Sequence, residues 1–101
     1  MHARPIAAAA VLLLAAATGS ARDIGHDEAL QLRRSGELLA LAELLERART
    51  RYPDATLLEA DLERESGALV YELELLTRDG RVRELEFDAR SGTLLSDKDE
   101  D

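Results

Sequence analysis

VYELELLTRDGRVRELEF, residues 70–87, decides the fold. Tyr71, Leu73 and Leu75 alternate with Glu72 and Glu74, and after R-D-G, Leu85 and Phe87 alternate with Glu84 and Glu86. A period of two marks a half-buried strand, and a turn signal between two such runs marks an antiparallel hairpin. Residues directly opposite in an antiparallel pair lie on the same face, so parity selects the register. A two-residue Asp79-Gly80 turn would set Leu75 against Glu84 and is rejected. A three-residue loop, Arg78-Asp79-Gly80, pairs Tyr71 with Phe87 and Leu73 with Leu85. It places Gly80 at the left-handed position of a bulged turn, where glycine is favoured. Arg83 then lies beside Leu75, where its stem covers apolar surface.

The same test works upstream. Leu58, Ala60 and Leu62 alternate with Glu59, Asp61 and Glu63. A four-residue loop from Glu65 to Ala68 sets Leu62 against Tyr71 and Ala60 against Leu73, so both hairpins bury one face. A last short strand, Thr93 to Ser96, follows D-A-R-S-G, and the charged residues 97–101 read as a frayed acidic tail. N-terminal to the strands, D-E-A-L-Q-L-R-R (27–34) has acids first and arginines last, as the helix dipole prefers, and Ser35-Gly36 stops it. Leu38, Leu41, Leu45, Ala48 and Tyr52 recur at spacings of three and four, with Leu44 widening the stripe. Pro53 ends this second helix. The expected fold is α+β: a short helix and a longer amphipathic helix packed on one face of a three- to four-stranded antiparallel meander.

The first residues differ from the rest. Arg4 is followed by a chargeless run from Ile6 to Gly19, rich in alanine, and then by Gly19-Ser20-Ala21. A basic start, an apolar run and a small-x-small site make a cleavable signal peptide. The run is short for a bilayer span. The division expected is residues 1–21 as signal peptide, 22–96 as the domain and 97–101 as the tail. Cleavage after Ala21 into the periplasm removes Arg4 and no acid, taking the net charge from −8 to −9. Such a surface repels nucleic acid and anionic lipid. With no cysteine, the domain has no disulfides to lean on.

Catalytic equipment is missing from the sequence. His26 is the lone histidine after Ala21, and without cysteine there is no zinc-ligand spacing. Ser35, Ser66, Ser91 and Ser96 lie in turns or at the end, none in G-x-S-x-G. The one lysine, Lys98, is in the tail, and no glycine-rich phosphate loop opens a helix. The reading is a non-enzyme without a cofactor.

The outward sheet face is less ordinary. The registers above line up Asp61, Glu72 and Glu86 in one cross-strand row and Glu59, Glu74 and Glu84 in the next. Like charges directly opposite repel. The row residues are either a solvated face or a docking surface for a cationic protein, with Asp61, Glu72, Glu74, Glu84 and Glu86 as candidate ligands for divalent ions. A second copy of the chain, meeting at an exposed strand edge, is the further partner this sheet admits.

H-D-E-A-L-Q-L-R-R-S-G-E-L-L-A-L-A-E-L-L, R-Y-P, and V-Y-E-L-E-L-L-T-R-D-G-R-V-R-E-L-E-F-D-A-R-S-G-T-L-L together resemble PepSY domains. The last hairpin carries the most specific part: Tyr71, Gly80, Asp88, Gly92 and Leu94, taken as fold determinants, with Ser91 where the family often has threonine. The resemblance implies a small exported protein without catalytic residues that modulates or inhibits an exported peptidase. The alternative is a divalent-cation-responsive acidic envelope protein.

Overall fold

A computed structural model describes residues 21–100. The elements run β1 (Ala21–Asp23), α1 (His26–Arg34), α2 (Leu41–Arg51), β2 (Thr56–Glu65), β3 (Ala68–Leu76), β4 (Val82–Asp88) and β5 (Leu94–Asp99). The strands form one antiparallel sheet in the order β1-β2-β3-β4-β5, a meander in which each strand of β2–β5 pairs with its neighbour in the chain. The fold is α+β as expected, with five strands instead of three to four. The expected signal peptide falls almost wholly on residues 1–20, outside the described residues.

The central hairpin has the predicted register: Tyr71 faces Phe87, Leu73 faces Leu85 and Leu75 faces Arg83. Thr77 and Arg81 close the loop, with Thr77 N–H donating to Arg81 C=O at 2.8 Å and Gly80 N–H donating to Thr77 C=O at 3.0 Å. Gly80 has φ +86°. A Cβ there meets no atom within 4 Å, so any penalty for a side chain is one of backbone conformation alone. Gly80→Ala is therefore expected to cost about 1 kcal/mol, read as a shift of the urea midpoint. An unchanged midpoint would mean the loop tolerates another geometry.

The β2–β3 register also follows the parity reading, with Leu62 opposite Tyr71, Ala60 opposite Leu73, Asp61 opposite Glu72 and Glu59 opposite Glu74. The loop is shorter than expected. Glu65 pairs with Ala68, leaving a two-residue Ser66-Gly67 turn instead of four residues. Ser66 at φ 49° and Gly67 at φ 88° form the primed turn whose twist suits a hairpin. The register survives because closing one more pair leaves the parity unchanged.

The helices cover the odd-numbered face of β3 and β4. Under α2, Leu44 and Ala48 pack with Leu73, Leu75, Leu85 and Phe87. Under α1, Ala29 and Leu32 cover a second cluster of Leu38, Leu62, Leu69 and Ala89. Tyr71 touches both clusters. The stripe of α2 is centred on Leu44 and Ala48, both fully buried, while Leu41, Leu45 and Tyr52 flank it half-buried. Leu38 precedes the helix. Ala40 is extended and offers no side-chain cap, and just before it Leu39 N–H donates to Ala89 C=O at 2.9 Å.

β1 and the length of β5 were not expected. β1 pairs Arg22 with Arg64 and Asp23 with Glu63. Arg22 and Arg64 converge on Glu28 of α1, at 3.4 and 3.2 Å, which ties the first helix to the sheet edge. β5 runs to Asp99, past the expected end at Ser96, so residues 97–99 are ladder and not frayed tail. A bulge at Leu95 shifts its pairing, so that Leu85 faces Asp97 and Arg83 faces Asp99.

Candidate functional site

The helices leave the other sheet face bare. Two rows cross it: Asp61–Glu72–Glu86–Ser96 and Glu59–Glu74–Glu84–Lys98. Asp23, Glu63 and Glu65 extend the acidity toward β1, and Glu100 reaches it beside Val82. Lys98 is the one cation in these rows among the described residues; its Nζ lies 3.2 Å from Glu84. The second row thus ends on a positive charge, while the first ends on serine. The strain therefore centres on Glu72.

The titration of these groups reflects that crowding. Burial, and then the charges of Glu84, Glu86, Asp61 and Glu100, push the Glu72 carboxyl up to about 7. Burial, a hydrogen bond with Glu65 and the charges of Glu72, Glu65 and Asp23 push Glu63 up to about 7. Glu59 is raised by sharing a hydrogen bond with Asp61 and by the charges of Asp61 and Glu74. Glu100 is raised by Glu84 first, then by its own desolvation and by Glu74. The face thus resists full ionisation, and a positive ligand would relieve it.

Of the sequence candidates, Glu72, Glu84 and Glu86 come closest: one carboxylate oxygen from each lies within 4.8 Å of the other two. Three glutamate oxygens make half or less of the six to eight that calcium takes. Asp61 and Glu74 share the face but fall outside that triad. The fold-signature residues sit elsewhere. The Asp88 carboxylate accepts the N–H groups of Arg90 and Ser91, both at 2.9 Å, and so shapes the β4–β5 turn. Gly92 C=O accepts from Arg47 at 2.9 Å, and Leu94 packs opposite Phe87. His26 opens α1 and lines a shallow hollow with Ala29, Leu30, Arg33 and Tyr71.

A second polar assembly, on the helix-covered face, was missed from the sequence. The Asp97 side chain is only 8% exposed. One of its oxygens accepts from Arg51 Nε at 2.6 Å and from the Tyr52 hydroxyl at 2.7 Å. The other accepts from Arg83 at 2.6 and 3.0 Å. Arg83 also reaches Asp99 at 2.7 Å, and its guanidinium lies 5.7 Å from the Tyr52 ring centre, within cation–π reach. Burial works against ionisation of Asp97, but its Arg51, Tyr52 and Arg83 partners hold its carboxyl below the usual range. Beside this network, Arg51, Tyr52, Pro53, Thr77, Arg78 and Asp79 line an open hollow of about 400 Å³. The signal that could have revealed the network is a period of two in charge, with Arg81 and Arg83 at the entry to β4 and Asp97 and Asp99 on β5.

Among the described residues no helix is long and apolar enough to cross a membrane. Neither a curated protein nor a solved structure matches the chain. A family model does: PepSY, described as peptidase propeptide and YPEB domain, over residues 38–98. That span runs from the residues before α2 through the acidic rows to Lys98, and it covers more than half of the chain; the protein belongs to the PepSY family.

Proposed function

We propose that the chain is a non-catalytic periplasmic binding module that docks through its bare acidic sheet face on an exported peptidase and modulates it. The observation that carries this reading is the asymmetry of the sheet. One face is filled by helices, while the other carries two rows of carboxylates in which, among the described residues, Lys98 is the one cation. Solubility needs charge, but it does not need like charges aligned at the cross-strand spacing, where they cost stability. A surface kept at that cost suits a cationic protein, attracted at long range and specified at short range. Family membership directs the choice of partner to a peptidase. The export reading rests on the Arg4 to Ala21 pattern. Cleavage there would leave Arg22 and Asp23 to keep the β1 pairing.

Tagged protein is incubated with cell-envelope extract at low salt, alongside a variant carrying Glu72→Gln, Glu74→Gln and Glu84→Gln. The wild type is expected to retain a peptidase, to change its rate on a casein substrate, and to release it at high salt. The variant should retain none. Equal retention by both would remove the acidic face from the mechanism. N-terminal sequencing of envelope-derived protein should begin at Arg22.

The approach of Glu72, Glu84 and Glu86 favours one other reading, a divalent-cation-responsive face. In that case calcium should raise the melting temperature well beyond sodium at equal ionic strength, and equal effects would leave screening as the whole explanation.

A further inference from the structure

β2 is ten residues long, yet β1 covers only Glu63–Glu65 on its outer side. Ile24 N–H donates to Leu62 C=O at 2.8 Å, and the chain then leaves the edge for α1. From Thr56 to Asp61, β2 has a strand on its β3 side only, among the described residues. Main-chain groups alternate in direction along a strand. Since the Leu62 carbonyl points to the outer side, the N–H and C=O of Ala60 point there too. An unpaired edge of this kind is a template for another chain.

Side chains give this edge a sign. Glu59 and Asp61 stand on it, with Glu74 and Glu72 directly behind them. Leu58, the extra residue of a bulge, is 48% exposed at the end of the same stretch. A second copy pairing here would carry its own Glu59 and Asp61 onto the same face and lengthen both like-charge rows. The opposite edge, β5, presents Lys98, a charge of the kind that guards an edge and would repel a basic strand.

We propose that the open side of β2 receives an extended basic segment of the partner protein as a sixth strand. Its lysines or arginines alternate over Glu59 and Asp61, and an apolar residue lies against Leu58. The bulge keeps the added ladder short, with its regular part beside Glu59–Leu62. This rests on the reading of the acidic face as a docking surface and adds to it a direction and a conformation: charge attracts the segment, and main-chain hydrogen bonds fix it as a strand.

The probe is an end-blocked ten-residue peptide alternating lysine and valine, dye-labelled and titrated into the purified protein at low and high salt. Amide shifts are expected to cluster on Thr56–Leu62. N-methylating every second peptide amide leaves the charge intact and should weaken binding by about tenfold or more, the loss of one to two hydrogen bonds. Ala60→Pro removes an N–H that β3 does not use, as edge strands tolerate, and should weaken binding to a similar degree. A glutamate–valine peptide should not bind. Equal binding of the methylated peptide, shifts centred on β5, or a peptide-free dimer through β2 in sedimentation would each overturn the proposal. A peptidase still captured by Ala60→Pro, but lost in the triple glutamine variant, would overturn the added strand and leave the docking face standing.

Discussion

Asp97→Ala is expected to cost about 2–3 kcal/mol, because it strips a nearly buried carboxylate from three donors at once. Arg83, whose side chain is 18% exposed, would keep only Asp99. The Tyr52 hydroxyl would lose its acceptor and Arg51 its tether to β5. Leaving a mostly buried cation with one partner fewer and a half-buried hydroxyl without its acceptor costs more than the intact pair is worth. The more exposed Arg51 holds the figure below the range for a fully buried pair. Urea denaturation at pH 7 measures it. Asp97→Asn should fall between the two, keeping an acceptor for Tyr52 without the charge. A loss below about 0.5 kcal/mol would class the network with ordinary surface ion pairs.

The same variant should reshape the acid limb of the stability curve. Burial opposes ionisation of Asp97, but its donors hold its carboxyl low, and Arg83 and Arg81 hold Asp99 low. A carboxyl depressed in the folded state contributes stability above its unfolded pKa and loses it as pH falls. For these groups the loss runs downward from about 3.8. Without Asp97 that limb should flatten.

The acidic face works in the opposite direction. Glu63 and Glu72 move from an ordinary 4.5 to about 7, chiefly through burial and then through neighbouring carboxylates. A raised folded pKa means the folded state holds the proton longer. The associated stability is therefore complete below 4.5 and is lost as pH climbs through about 7. Allowing for solvent screening, the two groups together should remove about 1–2 kcal/mol between pH 4.5 and 8. Several degrees of melting temperature should go with it. Stability should thus peak near pH 4–5, between the two limbs. Glu72→Gln should stabilise the protein at pH 8 and leave it nearly unchanged at pH 4.5, where the wild-type carboxyl is already protonated. Added sodium chloride should narrow the pH 8 difference. A Glu72→Gln variant that destabilises at pH 8 would show that the carboxylate is needed there in its charged form.

Much of this architecture was legible because apolar residues kept strict parity. Tyr71, Leu73 and Leu75 against Leu85 and Phe87 allow one register, and that register lines up the carboxylates on the other face. What escaped was structure held by polar groups. β1 is three residues with no apolar alternation, fixed by Arg22 and Arg64 closing on Glu28. The end of β5 has a period of two in charge and not in hydropathy: Asp97 and Asp99 turn inward to Arg83, and Lys98 turns outward to Glu84. The sequence suggests a loop longer than the Ser66-Gly67 turn because Ser66 takes a positive φ that is more readily assigned to glycine. Within the site, the rows followed from register, but their inequality did not. It depends on Ser96 and Lys98 ending different rows, and hence on a bulge at Leu95 that no pattern announced.

The meander also sets an order of events. Each hairpin of β2–β5 closes between chain neighbours, so these pairings need only short loops and form early. The bond from Arg51 to Asp97 spans 46 residues and cannot form until β5 has joined a sheet already built. Interactions that arrive after the rate-limiting step leave the folding rate alone and govern how fast the native state comes apart. The tether from Arg51 and Tyr52 to Asp97 is therefore a clasp of persistence. Its loss should leave refolding times unchanged and shorten the lifetime of the folded domain, the quantity that governs proteolysis wherever cleavage outpaces reclosing.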